Sequence, residues 1–427
     1  MLKTDNRYKS YIDVLKSELV PAAGCTEPIA IAFAAARARR FLGFIPDRVE
    51  IVVSGNIIKN VKSVIVPNTG GMKGIAAAAA AGIAAGDDER ILEVIALVDD
   101  AGRERIKAFL DSCPITIQPA DNDLVFDIDI REYHEEDCVH IRIIDYHTNI
   151  ILIEKNGDVL FAPDNTSFEK SESLVTEKDA MSIMDIIEFA NTVDISDIGD
   201  TIRRQIEYNS AISKEGLTND YGACVGKVIL KTYGDDIKFR AMAAPAAGSD
   251  ARMGGCELPV IIVSGSGNQG MTASLPVIEY AKEYHKSEEE LIRAVIVSDL
   301  ITIHQKSWIG RLSAFCGAIS AGCGSAAGIA YLLGGDYEVI AHTLVNALAI
   351  VSGVVCDGAK ASCAGKIAAA VNAGILGYNM YLSGSQFYAG DGIVSKGVEN
   401  TIRNVGRLGR EGMRETDREI LRIMTDA

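Results

Sequence analysis

The chain has 427 residues, enough for a sizeable core and for two domains or one large helical body carrying an insertion. A formal net charge of −16 and a pI near 4.9 argue against a nucleic-acid surface or an anionic membrane as partner, because both demand clustered Lys and Arg. Hydrophobic residues reach 48% while aromatics stop at 6%, so Ala, Gly, Val and Ile must fill much of the interior, as closely packed helices allow.

The opening stretch MLKTDNRYKSYIDVLKSELV reads as an amphipathic helix with Tyr8, Ile12, Leu15 and Leu19 on one stripe, not as a basic-then-apolar leader. The expectation is therefore a cytoplasmic protein. Pro21 ends that helix and a second begins near Pro28. From about Arg48 the texture changes to β-branched runs, VEIVVSG and KSVIVP, then an Ala-rich helix, then ITIQPA, LVFDIDI, HIRIIDY and NIILIEKNGDVLFAP. The last of these carries Asn156-Gly157, a favoured two-residue hairpin turn, so an antiparallel sheet is expected there.

Beyond Thr176 nearly every segment has helical periodicity broken by Gly-rich stretches, and the C-terminal half is expected to be all helical. The apolar stretch from Val339 to Val355 contains His342, Asn346 and Ser352 and reads as a buried helix, not a membrane span. The fold class expected is α+β: a discontinuous helical catalytic domain, 1–45 and 176–427, with an inserted α/β domain over 46–175.

Nine cysteines without an export signal read as core fillers or ligands, since the cytosol keeps thiols reduced. Cys25, in PAAGCTEPIAIAF, falls where one helix has ended and the next starts; free N–H groups and the helix dipole there favour a thiolate, with Glu27 partly opposing it. Such a thiol suits a base or nucleophile; a buried small residue is the alternative.

Cys316 and Cys323 stand seven residues apart, as do Cys356 and Cys363. Seven residues of unbroken helix rise about 10 Å, too far for two thiolates to share one zinc ion, so a ligand role needs a cluster or a broken helix. Gly358 provides a break in CDGAKASC, with Asp357 and Ser362 as possible caps, so Cys356 can end one helix and Cys363 open the next. Packing of small cysteines among Ala and Gly is the competing account.

Two Gly-rich loops follow apolar runs and precede helices: SGSGNQG, where the amides and Ser266, Gly267 and Asn268 could hold a carboxylate, and PNTGGMKG, which presents Asn68, Thr69 and Gly70. Lys73 and Lys360 are the lysines whose settings would suit a Schiff base with pyridoxal phosphate, a weaker alternative. The six histidines, His134, His140, His147, His285, His304 and His342, form no zinc spacing and suggest surface or sheet roles.

GCTEP, NQGMTASLPV and CDGAKASC together resemble the L-cysteine desulfidase branch of the bacterial iron–sulfur L-serine dehydratase alpha-chain family, over nearly the whole chain. The resemblance implies a 4Fe-4S cluster held by Cys316, Cys356 and Cys363, with Cys323 a bystander, and a base at Cys25, where serine dehydratases carry a Ser-Ser-His-Thr type sequence. It implies deamination of L-cysteine to pyruvate, ammonia and sulfide, with Thr26 and the two Gly-rich loops contacting the amino acid. L-serine or another β-substituted amino acid is the first alternative. A non-catalytic small-molecule-binding protein with structural cysteines is the second. A homodimer is the expected assembly.

Overall fold

The structure is a computed structural model that describes residues 1–122, 124–163, 181–310 and 312–425. The N-terminal part runs α1 (Asn6–Glu18), β1 (Pro21–Ala23), α2 (Thr26–Leu42), β2 (Arg48–Val53), α3 (Gly55–Val61), α4 (Gly74–Ala85) and α5 (Asp100–Ser112). It continues through β3 (Ile115–Pro119), β4 (Asp127–His134), β5 (Asp137–Ile144), β6 (Ile150–Lys155) and β7 (Asp158–Phe161). The helical part comprises α6 (Ile183–Thr192), α7 (Ile195–Thr218), α8 (Val225–Tyr233), α9 (Ile237–Met253), the short strand β8 (Pro259–Ile261), α10 (Gly267–Glu283) and α11 (Glu288–Ile309). It closes with α12 (Gly317–Leu332), α13 (Tyr337–Val351), α14 (Cys363–Leu382), α15 (Val398–Arg407) and α16 (Arg414–Thr425). The α+β class expected from the sequence holds.

Alternation of apolar and polar residues makes the sheet. Ile128, Ile130, Val139, Ile141 and Ile143 are buried on one face, and β3 and β2 are parallel while β2, β4, β5, β6 and β7 follow as antiparallel neighbours. Asn156 and Gly157 both have positive φ, 54° and 90°, the geometry of the tight hairpin turn that joins β6 to β7. KSVIVP, expected as a strand, makes only a single bridge, Ile65 to Lys73, because the glycines of PNTGG turn the chain back at once.

Two large apolar clusters divide the molecule. One gathers α1 with the helical part; the other gathers the sheet, α4 and also α2, whose Ile29, Ile31 and Phe33 pack there. Residues 1–45 were expected to go with the helices, whereas the packing puts Thr26–Leu42 with the sheet; the closing boundary, near 175, lies outside the described residues. The C-terminal half is not purely helical, since β8 pairs antiparallel with β1, Pro21 opposite Ile261 and Ala23 opposite Pro259. That two-stranded link joins the two parts directly beside Gly24. No helix among the described residues is long and apolar enough to cross a membrane.

Helix contacts in the C-terminal part depend on small residues. A Cβ on Gly322 would stand 2.7 Å from Ala370 on α14, and one on Gly324 would stand 2.6 Å from the Ser298 carbonyl on α11. Backbones at that distance lock α12 between its neighbours.

Candidate active site

The β1–β8 link puts the GCTEP loop against SGSGNQG. Gly24 adopts φ 69°, and a Cβ there would lie 2.0 Å from Pro67, so only glycine makes this turn. Cys25 then caps α2 and is almost fully buried. Its Sγ donates to Oε2 of Glu27 at 3.1 Å, Thr26 Oγ1 shares its one proton between the same oxygen at 3.1 Å and the Gly265 carbonyl at 2.9 Å, and Asn60 Nδ2 donates to Glu27 Oε1 at 3.0 Å.

These contacts set the charges. Burial, then the Glu27 carboxylate, hold the Cys25 thiol well above its ordinary pKa, with Arg252 pulling the other way. The helix N-terminus therefore does not produce the thiolate expected from the sequence, because desolvation and an adjacent anion outweigh the dipole. For Glu27 burial pushes upward, but the charge of His147, the Cys25 thiol and Arg252 outweigh it and keep the carboxyl below its usual range.

The cysteines of the C-terminal half converge by a different device. Phe315 and Val355 form an isolated antiparallel bridge, with Cys316 N–H donating to the Val354 carbonyl at 3.1 Å and Cys356 N–H to the Ala314 carbonyl at 2.6 Å. Cys316 caps α12, and Gly358, at φ 96°, turns the chain so tightly against α3 that a Cβ would meet the Lys59 carbonyl at 2.3 Å. The break expected at Gly358 is present, and Cys363 opens α14 behind Ser362. Asp357 caps nothing and instead binds Lys360 and Lys366.

Cys25, Cys316, Cys356 and Cys363 all line one cavity of about 100 Å³. Burial, followed by the Cys356 and Cys363 thiols, pushes Cys316 up to about 12. Cys323, one helical stretch further on, is fully buried and is also pushed up to about 12, but by burial alone, and it does not line the cavity. Among the described residues no three His, Cys, Asp or Glu side chains are arranged to hold a single metal ion. Three soft thiols from separate segments fit the donor chemistry of a multi-iron cluster, which reaches further than one ion.

The polar part of the remaining wall includes Thr26, Asn56, Lys59, Asn60, His147, Arg252, Ser264–Ser266, Asn268, Gln269 and Lys306. Ser264 and Gly265, both with positive φ, make a tight turn in which the Ser266 N–H is already bonded to the Val263 carbonyl. The first-turn amides of α10 that can meet a ligand in the cavity are thus those of Asn268 and Gln269, not that of Ser266. Gly267 itself stands behind the wall, where a Cβ would lie 2.6 Å from Nε of Arg252. Arg252 is buried, donates to the Gly24 carbonyl at 2.9 Å and holds Asn268 Oδ1 at 3.2 Å.

Asn68, Thr69 and Gly70 do not line the cavity. Asn68 Nδ2 donates to the Ile95 carbonyl and Thr69 Oγ1 to the Val66 carbonyl, closing the turn that presents Pro67 to Gly24. Lys73 and Lys360 also stand outside it. Sequence reasoning missed Arg252, Gln269, Asn56, Asn60 and His147 as wall residues, and gave Glu27 only an opposing charge. Glu27 alone had a signal, its place in GCTEP beside Cys25. The Oε1 of Gln269 and Oδ1 of Asn56 are buried acceptors without a hydrogen-bond partner among the described residues.

A family model described as serine dehydratase alpha chain matches residues 89–422. The chain is 61% identical over 424 residues to a UPF0597 protein of Desulfitobacterium hafniense, covering 99% of this chain and 98% of that one. It is also 51% identical over 417 residues to a UPF0597 protein of Lachnoclostridium phytofermentans, covering 98% and 99%, and 45% identical over 424 residues to one of Treponema denticola, covering 98% of each.

Proposed function

Because the chain belongs to the serine dehydratase alpha-chain family, we propose that it is a lyase that deaminates L-cysteine to pyruvate, ammonia and sulfide. The observation that carries this reading is the meeting of Cys25 with Cys316, Cys356 and Cys363 on one cavity that also holds a buried arginine. When bound, a 4Fe-4S cluster held by Cys316, Cys356 and Cys363 would leave one iron without a cysteine and so supply a Lewis acid for the substrate's β-substituent.

The chain's own residues account for the rest. Arg252, with the first amides of α10, suits the α-carboxylate. The unpartnered oxygens of Gln269 and Asn56 suit the α-ammonium, leaving Cα toward Cys25. Cys25 takes the α-proton, and the aminoacrylate that leaves hydrolyses in water. Cys25, Glu27 and Arg252 are themselves buried, so the groups that act in these steps are already largely stripped of water. We assign the reaction to the cytoplasm and to a homodimer.

Dehydration of L-serine is the second reading, favoured by the description of the matching family model. Anaerobic purification, iron and sulfide analysis with a visible spectrum, and a panel of β-substituted amino acids with pyruvate and sulfide detection test both. The expected result is an iron-loaded protein that releases sulfide from L-cysteine. Pyruvate from serine alone would transfer the assignment to serine, and an iron-free protein without turnover after reconstitution would overturn both.

A further inference from the structure

We propose that Glu27 is the proton acceptor for Cys25: its buried carboxylate, 3.1 Å from Sγ, takes the thiol proton so that the sulfur can take the α-proton of the substrate. This rests on the reading of Cys25 as the base.

The geometry leaves the thiol one evident destination for its proton. Sγ is buried and donates directly to Oε2. The carboxylate is fixed from both ends, by Thr26 on the same oxygen and by Asn60 on the other, so it cannot swing away. These three donors are neutral at rest, and the nearby charges of His147 and Arg252 favour the ionised carboxyl, so the negative charge stays beside the sulfur.

Loss of the Cys25 proton to solvent would put two anions side by side in a buried cavity. Transfer to Glu27 moves the charge from oxygen to sulfur and creates none, so the desolvation already present is not doubled. Both groups lie at the start of α2, where the helix dipole favours the charge on either.

The protons balance without an added reagent. The Sγ–H bond breaks and an O–H bond forms on Glu27. Sγ then takes the proton from Cα, and the electrons of that C–H bond become the Cα–Cβ double bond as the β-substituent departs with its bonding pair. Glu27 returns its proton to the departing anion, which restores the resting thiol and carboxylate.

A purely structural Glu27 would hold the loop through Thr26 and Asn60 and nothing more. The discriminating variant is Glu27→Gln in the anaerobically purified, cluster-loaded protein, with Glu27→Asp beside it. In infrared spectra without substrate, the Cys25 S–H band, assigned by its disappearance in Cys25→Ser, should lie low in the wild type and move up in Glu27→Gln. With the amino acid that the wild type turns over, kcat should fall at least about 100-fold while KM changes by less than about threefold. Glu27→Asp, its carboxylate drawn back by one methylene, should lie between the two in band position and kcat.

Glu27→Gln turnover within about threefold of wild type, or an S–H band that does not move, would overturn the role. If Glu27→Gln does not fold, Glu27→Asp decides: a kcat and an S–H band both equal to wild type overturn it. A wild type inactive on every β-substituted amino acid instead overturns the reading on which the role rests, and so is told apart from an active wild type with an unimpaired Glu27 variant.

Discussion

The two walls of the cavity are built on opposite principles. The wall carrying Cys316, Cys356 and Cys363 hangs on the starts of α12 and α14, with Cys356 in the bridged segment between α13 and α14, and the two helices are held at backbone distance by Gly322 and Gly374, each of which would bring a Cβ to 2.7 Å from the neighbouring helix. The wall carrying Cys25, Thr26 and Glu27 is a loop held by hydrogen bonds, to Gly265, to Asn60 and through Arg252 to Gly24. Close helix packing, with one backbone bridge at Phe315 and Val355, sets the sulfurs of the first wall, whereas side-chain hydrogen bonds dominate around the second. A ligand set needs fixed separations, whereas acid–base chemistry needs charges that can be exchanged.

The sharpest test of the contrast is to remove a sulfur from the first wall. Cys356→Ala should abolish both bound iron and turnover, measured by iron analysis and visible absorbance, whereas Cys323→Ala, only 0% exposed and remote from the cavity, should keep both. Iron retained by Cys356→Ala would break the assignment of this wall to ligands.

Next in size is the packing behind that wall. Gly322→Val should lower stability by about 3 kcal/mol, the upper end of what overpacking costs, because the new branches meet the Ala370 backbone and α12 cannot retreat. A shift in the thermal midpoint measures it. An unchanged midpoint would mean that the helices are less tightly locked than the distances require.

The helical part also holds a titration. Asp299 on α11 is fully buried; burial raises its pKa to about 8, only partly offset by a hydrogen bond from Gln205 at 3.0 Å, and its Oδ2 and Oε1 of Gln205 have no partner among the described residues. The folded state therefore keeps a proton that the unfolded chain releases at its ordinary value near 4. The stability this proton confers is fully present below that value and is lost as pH rises toward 8, by about 1.4 kcal/mol per unit within the window. Asp299→Asn removes the titration, so it should unfold later than wild type at pH 8 and no later at pH 4, in urea titrations at both.

The smallest effect belongs to the sheet. Gly157→Ala strains a residue at φ 90° and should cost about 1 kcal/mol while leaving turnover unchanged, because the hairpin stands away from the cavity. A loss of activity would show the sheet edge to be coupled to the site.

Local chemistry explains what was legible. Alternation marked β4 and β5, Asn156-Gly157 marked the hairpin, and the glycine of CDGAKASC marked the break that lets Cys356 and Cys363 approach. KSVIVP failed as a strand because its three β-branched residues, Val64, Ile65 and Val66, pair only with the few residues that PNTGG turns back on them. Arg252 and Gln269 carried no local signal: an arginine inside α9 and a glutamine in the first turn of α10 look like ordinary helix residues until β1 and β8 pair.

The sequence by itself determined the class of fold, the family resemblance and the cysteines worth naming, because periodicity, turn chemistry and motif spacing are local properties of the chain. Only the tertiary structure decided the charge state at Cys25. A helix N-terminus and a neighbouring Glu27 are visible in sequence, but burial and the placing of that carboxylate 3.1 Å from the sulfur arise from packing between α2, α3 and the SGSGNQG turn, and they are the larger effect. The same holds for the convergence of Cys316 with Cys356, forty residues apart, which depends on one antiparallel bridge at Phe315 and Val355.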